Sequence, residues 1–127
     1  MRINPIYTTN INFGYKHRLK TEWLKGNIPE LVHDFYDGKP LDPKTVTLEH
    51  LKPHSQGGKT TLSNLVLTSY INNNKRGNKD IRKYINIEAA KKYLEEAKKI
   101  NVKGINGENY YKSLINRLKS LGVDLTK

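Results

Sequence analysis

Residues 48–78 constrain the fold of this chain more than any other stretch, because apolar runs and turn residues alternate there at short intervals. Residues 45–48 are largely β-branched and alternate in polarity, which predicts a strand that delivers Glu49 and His50 at its end. A loop with one proline and two adjacent glycines comes next, since these residues stop helices and strands alike. Residues 65–67 then predict a second short strand.

A helix is predicted directly after the second strand. Thr68 or Ser69 can cap its first turn, because a side-chain oxygen at that position accepts a backbone N–H. The helix is expected to run to about Arg76, where Gly77 suits the C-terminal stop. The predicted order is therefore strand, loop, strand and helix, within a core at about residues 44–78.

Helices are predicted on both sides of this core, at residues 13–36 and 86–121. The N-terminal part contains one helix at residues 13–24 and a second short one at residues 29–36. The C-terminal part contains two amphipathic helices separated by glycines. Residues predicted to face inward include Leu31, Val32 and Phe35 in the N-terminal part and Ile87, Ala90, Tyr93, Leu94, Ala97 and Ile100 in the C-terminal part. The expected fold class is α+β, in a single domain that spans the 127 residues.

The chain carries a strong excess of positive charge. It has 23 Lys and Arg residues against 12 Asp and Glu residues, a net charge of +11. Residues 49–85 are the most one-sided part, with seven basic and two acidic residues. Because displaced counterions favour the binding of Lys and Arg to phosphates, this charge predicts a polyanionic partner.

Cysteine is absent, which excludes disulfides and cysteine-ligated zinc. No run approaches the roughly 18 apolar residues that a transmembrane helix requires, and residues 1–10 lack the apolar segment of a signal peptide. These features predict a soluble, cytoplasmic protein with no membrane partner and no structural zinc. Hydrophobic residues make up 35% of the chain, which is enough for one modest core.

The pair Glu49-His50 and the later Asn73 have the chemistry of a metal-dependent phosphodiesterase. In-line attack of water on a phosphodiester needs a general base and a cation near the phosphate. Mg²⁺ prefers carboxylate and carbonyl oxygens and keeps several waters, so Glu49 and Asn73 suffice as its protein ligands. His50 can accept a proton near neutral pH. Neighbours on a regular strand point to opposite faces, so we expect a departure from strand geometry near His50 if both serve one site.

The same segment resembles the HNH endonuclease motif. Sequences of that family contain an acid-histidine pair, followed by a loop with Pro, Ser and Gly-Gly and by an Asn-Leu pair. They end with His or Asn three residues before a Lys or Arg that precedes a Gly. The matching positions are Glu49, His50, Pro53, Ser55, Gly57, Gly58, Asn64, Leu65, Asn73, Arg76 and Gly77. They extend over about a quarter of the chain. The resemblance implies a ββα-metal fold that holds one divalent cation, with Mg²⁺ or Mn²⁺ as the expected cofactor.

Carried over to this chain, the resemblance implies a role for each matched polar residue. Glu49 and Asn73 would bind the metal, and His50 would be the general base. Asn64 would hold the loop and orient His50 through hydrogen bonds to the backbone. Many relatives also carry two cysteine pairs that bind a structural zinc. This chain has none, so packing of the flanking helices is expected to replace that zinc.

Three further side chains are expected to contact nucleic acid. The resemblance implies that Lys75 and Arg76 contact phosphate from a helix that lies against the backbone at the minor groove. His54, at a variable position of the loop, is expected to be solvated or to contact phosphate. Contacts of this kind position a substrate without reading bases, so we expect weak sequence preference.

The choice of metal ligand among three consecutive asparagines stays open at this point. The spacing from Asn64 and the Arg-Gly pair that follows favour Asn73. Asn72 is second, because a lysine three residues after it also fits the end of the family motif. Asn74 shares the same helical turn and points in a third direction.

The predicted function is metal-dependent hydrolysis of DNA phosphodiester bonds, most simply in double-stranded DNA. One alternative is a DNA-binding or assembly module with the HNH shape that needs a partner to cleave. Another is an RNase, since nothing in the residues distinguishes a 2′-hydroxyl. Small HNH proteins resemble phage packaging partners, homing nucleases and defence effectors alike, which implies a bacterial or phage-encoded protein. The sequence leaves the assembly undecided between a homodimer and a complex with a larger nuclease or packaging partner. A monomer would nick one strand, whereas a two-fold dimer could cut both strands.

Overall fold

A computed structural model of the chain describes residues 18–127. The first part of the helix predicted at residues 13–24 therefore lies outside the described residues, and helix α1 covers Arg18–Leu24 with Leu19 buried. The fold class is α+β, as predicted. None of the helices within the described range combines the length and the apolar character that crossing a bilayer requires.

An antiparallel hairpin forms the centre of the fold. Strand β1 covers Val46–His50 and strand β2 covers Leu65–Ser69. They pair in continuous register from Val46 opposite Ser69 to His50 opposite Leu65. The two strands predicted from the sequence are confirmed, and the first contains Glu49 and His50 at its end.

Helix α2, Tyr70–Arg76, follows β2 without a break. The Ser69 side chain caps it by accepting a hydrogen bond from the backbone N–H of Asn72 at 3.1 Å. Gly77 ends the helix with a positive φ of 51°. The predicted order of strand, loop, strand and helix is therefore confirmed, including the N-terminal cap and the C-terminal stop.

Three helices and a second hairpin complete the fold. They are helix α3 (Ile81–Tyr84), helix α4 (Ile87–Ala97), strand β3 (Asn101–Val102), strand β4 (Ile105–Asn106) and helix α5 (Gly107–Ser120). The side chains of Asn86 and Asn106 cap α4 and α5. Helix α3 and the β3-β4 hairpin were not predicted. Ile87 was predicted to face inward, but it is 41% exposed because it begins α4 at the surface.

The prediction of a helix at residues 29–36 is wrong. The backbone N–H groups of Val32 and His33 donate to Oε1 of Glu96, at 2.9 and 3.0 Å, and His33 forms an isolated β-bridge. These tertiary partners satisfy backbone groups that a helix would satisfy internally, so the segment forms turns instead. Val32, predicted to face inward, is 44% exposed, whereas the other two predicted inward residues are buried.

Two buried tyrosines from the C-terminal helices close the outer edge of β2. The Tyr110 hydroxyl donates to the carbonyl oxygen of Leu65 at 2.7 Å. The Tyr93 hydroxyl lies 2.8 Å from the Tyr110 hydroxyl. The N–H of Leu67 donates to the Tyr93 hydroxyl at 3.0 Å. These bonds satisfy backbone groups that an edge strand otherwise leaves open. Helices α4 and α5 thereby hold the hairpin in place, and the predicted inward position of Tyr93 is confirmed.

Candidate metal and catalytic site

An open pocket of about 450 Å³ lies where β1, the loop after it and α2 meet. Its lining residues are Glu49, His50, Pro53, His54, Ser55, Asn73, Asn74, Gly77 and Asn78. The two predicted metal ligands and the predicted base therefore surround one pocket. A larger pocket of about 570 Å³ beside the β3-β4 hairpin contains no acid, histidine or cation, so its lining lacks the groups that hydrolysis requires.

The expected departure from strand geometry does not occur within β1. Pairing stays regular as far as His50, opposite Leu65, and the chain bends only from Leu51 onward. Glu49 and His50 nevertheless both line the pocket, because the pocket lies at the end of the strand rather than over one face of the hairpin. The departure expected near His50 therefore begins at the next residue, Leu51, and the two side chains line the same pocket.

Glu49 is a buried carboxylate that two donors hold. Its residue surface is 4% exposed, and its Oε2 accepts hydrogen bonds from the Tyr36 hydroxyl at 2.5 Å and from Nη1 of Arg76 at 3.2 Å. Burial raises the pKa of the Glu49 carboxyl, and the bonds from Tyr36 and Arg76 oppose that rise. Both side-chain donors use Oε2, which leaves Oε1 without a side-chain hydrogen bond among residues 18–127.

Arg76 is part of the protein interior. Its guanidinium is 2% exposed and also donates to the carbonyl oxygen of His50 at 2.9 Å and to that of Lys79 at 2.8 Å. The predicted phosphate contact of Arg76 is wrong, because these internal partners occupy a side chain that does not reach the surface. The other two predicted contacts are differently placed: Lys75 is exposed on α2, and His54 is exposed at the rim of the pocket.

His50 is half-buried beside the pocket. Its Nε2 lies 2.8 Å from Oγ1 of Thr60, and its ring centroid lies 6.0 Å from that of His54. Burial lowers the pKa of His50 below its ordinary value, and the charge of His54 lowers it further. The imidazole is therefore neutral near pH 7, which is the form that can accept a proton.

The three consecutive asparagines lie in different surroundings. Asn73 donates through Nδ2 to the carbonyl oxygen of Leu48 in β1, at 3.0 Å, and keeps its Oδ1 for another partner. The Nδ2 of Asn72 instead donates to two aspartates, Asp34 and Asp37, and this residue does not line the pocket. Asn73 and Asn74 both line it. Since the Leu48 bond orients its amide, Asn73 is better suited than exposed Asn74 to present an oxygen.

Asn64 ties together the two ends of the loop between the strands. It is fully buried, accepts from the N–H of Lys52 at 2.8 Å, and donates to the carbonyl oxygens of Lys52 and Lys59, both at 3.0 Å. The glycine pair permits this closure: Gly57 has a φ of 89°, and a Cβ on Gly58 would lie 1.8 Å from the Lys52 oxygen. The hydrogen bonds predicted from Asn64 to the backbone are present, while its role in catalysis stays a prediction.

Two residues of the site were not predicted, Tyr36 and Thr60. Tyr36 reaches Glu49 from a stretch that was predicted to be helical, so no local pattern joins the two. Thr60 contacts His50 across the loop, and its only signal in the sequence is a hydroxyl near the Gly57-Gly58 turn. Both contacts depend on where the loop and the N-terminal segment pack.

The donor chemistry fits a hard divalent cation. The Glu49 carboxylate and the Asn73 amide oxygen are ligand types that Mg²⁺ prefers. No group of three or more His, Cys, Asp or Glu side chains that could hold a metal occurs among residues 18–127. The protein would therefore supply two oxygen ligands and water the remainder, which is usual for Mg²⁺.

Comparison with known proteins adds no relative to this description. No protein-family model, no curated protein and no solved structure matches the chain. The resemblance to HNH endonucleases therefore stays a prediction from the motif residues.

Proposed function

We propose that the chain is a metal-dependent endonuclease of the HNH type that hydrolyses DNA phosphodiester bonds. The observation that carries the proposal is the meeting of Glu49, His50 and Asn73 around one open pocket. An acid, a neutral imidazole and an amide oxygen are the groups that metal-assisted hydrolysis of a phosphodiester requires. The net charge of +11 supports a phosphate-rich substrate.

In this proposal each polar residue of the pocket has one task. Glu49 and Asn73 would hold a single divalent ion, which when bound offsets charge on the phosphate and the leaving oxygen. His50 takes the proton from the attacking water, because its lowered pKa keeps the imidazole neutral. The buried pair Tyr36 and Arg76 holds the Glu49 carboxylate in one orientation, as partners behind a metal ligand commonly do.

Contacts with the nucleic acid are expected to be mainly with its backbone. His54 lies at the rim of the pocket and Lys75 is exposed on the same helix as Asn73. Charged and polar groups of this kind bind phosphate without reading bases. We therefore propose that binding is strongly salt-dependent and weakly selective for sequence.

Incubation of supercoiled plasmid with the purified chain in Mg²⁺, Mn²⁺ or EDTA tests the proposal. Metal-dependent nicking or linearisation is expected, together with its loss in His50→Ala and Glu49→Gln. Glu88→Gln is a matched control, because it makes the same change of charge at an exposed residue outside the pocket. Binding of labelled DNA by His50→Ala should persist, and cleavage by that variant would refute the assignment of the base.

Other outcomes separate the alternatives. Binding of Mn²⁺ by calorimetry without cleavage would favour an assembly module that needs a partner. Absence of both metal binding and cleavage, with salt-dependent DNA affinity, would leave a DNA-binding module. Cleavage of a structured RNA but not of the matching DNA would show an RNase instead.

A further inference from the structure

We propose that Thr60 is a positioning residue that selects the tautomer of His50. In this assignment the Nε2–H of His50 donates a hydrogen bond to the Thr60 hydroxyl, and the free lone pair of the imidazole lies on Nδ1. The inference deepens the proposed function and rests on it, because the tautomer bears on catalysis only if His50 is the base. Thr60 is not one of the positions that match the HNH motif.

Thr60 and His50 are in direct contact. Oγ1 of Thr60 lies 2.8 Å from Nε2 of His50, a normal hydrogen-bond distance, and both residues are half-buried. Among residues 18–127, no side chain or backbone group bonds Nδ1 of His50. One ring nitrogen is therefore engaged within the protein, and the other is the one left for a water or substrate proton.

Hydrogen bonds hold the segment that carries Thr60 in place. The residue before it, Lys59, gives its carbonyl oxygen to the buried Asn64 at 3.0 Å. On the other side, the backbone carbonyl oxygen of Thr61 accepts a hydrogen bond from the N–H of Asn64 at 2.9 Å. Because the backbone on both sides is tied down, Thr60 is held against His50. Asn64 therefore acts on His50 through the loop backbone and the Thr60 hydroxyl.

A neutral imidazole has one N–H donor and one acceptor nitrogen. If the Thr60 hydroxyl donated to Nε2, the proton would lie on Nδ1 and no lone pair would be free to accept one from water. If Thr60 accepts, Nδ1 is the base. The hydrogen bond at one ring nitrogen therefore sets whether the other nitrogen carries the proton or a free lone pair.

Nitrogen-15 NMR of histidine-labelled protein, without metal or DNA and at a pH where His50 is neutral, tests the assignment. His50→Ala identifies the His50 signals. The parent chain and Thr60→Ser should show a protonated Nε2, whereas Thr60→Val should show a mixture of tautomers. Thr61→Val is the matched control, because it removes the neighbouring hydroxyl that bonds Ser63 rather than His50, and it should leave the tautomer unchanged.

Plasmid cleavage by the same variants supplies a second readout. Partners that orient the side chains of a metal site are worth about 10- to 100-fold in activity, and we expect a loss of that order in kcat for Thr60→Val, with KM nearly unchanged. Thr60→Ser should restore kcat. Thr61→Val should resemble the parent chain.

Two results would overturn the inference: a proton on Nδ1 in the parent chain, or an unchanged tautomer and kcat in Thr60→Val. The NMR result also separates this inference from the proposed function. A parent chain with the expected tautomer that cleaves nothing would refute the nuclease and keep Thr60 as the partner that orients His50. Cleavage that depends on His50 but not on Thr60 would support the nuclease and refute the role of Thr60.

Discussion

Arg76 and Glu49 form a buried ion pair, with Nη1 and Oε2 3.2 Å apart and side chains that are 2% and 5% exposed. The pair joins α2 to the end of β1, and the further bonds of Arg76 to the backbone of His50 and Lys79 extend the junction. Removing one member of such a pair leaves an uncompensated charge in the interior. Arg76 therefore acts on the site through Glu49 rather than through the substrate.

Arg76→Ala is expected to lower the free energy of unfolding by about 3–5 kcal/mol, because the Glu49 carboxylate loses its buried cation. Lys75→Ala, at the exposed neighbouring position, should change it by about 0.5 kcal/mol or less. Urea denaturation of the two variants measures the difference. Equal stability of both variants, with DNA affinity lost only in Arg76→Ala, would contradict the structural role.

Tyr36→Phe is expected to lower the free energy of unfolding by about 1.5–3 kcal/mol, the range for a hydrogen bond to a charged group. Tyr84→Phe is the matched control, since its ring packs edge-on against Tyr36 while its hydroxyl makes only a 3.5 Å contact to a backbone oxygen. Calorimetric titration with Mn²⁺ should also show weaker binding in Tyr36→Phe alone. Unchanged stability and affinity would mean that the hydroxyl does not hold Glu49.

The cleavage rate is expected to fall with decreasing pH, with a midpoint below pH 6.5. In the proposed mechanism cleavage requires the neutral imidazole of His50, and burial together with the charge of His54 lowers the pKa of His50 below its ordinary value of 6.5. The acid side of the kcat/KM profile reports this group in the free enzyme. His54→Ala should move the midpoint upward, because it removes a neighbouring positive charge. A midpoint above pH 6.5, or one that moves downward in His54→Ala, would be inconsistent with the assignment.

Asn64→Asp is expected to destabilise the chain by about 2–6 kcal/mol, because two backbone carbonyl oxygens lose their donor at about 1–3 kcal/mol each. Asn116→Asp makes the same change at an exposed position of α5 and should have little effect. Thermal unfolding measures stability. Hydrogen exchange of the Lys52 amide reports whether the loop opens. An Asn64→Asp chain with parental stability would show that the loop is held by other contacts.

Much of the central unit was predictable because it depends on near neighbours in the sequence. The Ser69 cap and the Gly77 stop act on backbone groups within a few residues, and alternating polarity in β1 is a local pattern. The helix predicted at residues 29–36 failed for the opposite reason. Its backbone donors found Glu96, more than sixty residues away, and no local pattern contains that partner.

The same division applies to the site. Residue type and spacing predicted that Glu49, His50 and Asn73 belong to one constellation, and the structure brings them to one pocket. The charge of Arg76 predicted a partner of opposite sign, but either a phosphate or a buried carboxylate meets that requirement. Only packing, which encloses the guanidinium against Glu49, distinguishes the two.

The sequence by itself determined the order of strand, loop, strand and helix and singled out Glu49, His50 and Asn73 as candidate site residues, because turn residues, caps and polarity act over short distances. The tertiary structure alone decided which groups those residues face. Tyr36 and Arg76 hold Glu49, and Thr60 meets His50. Burial and hydrogen-bond partners come from segments far apart in the chain, so they are established only when those segments pack together.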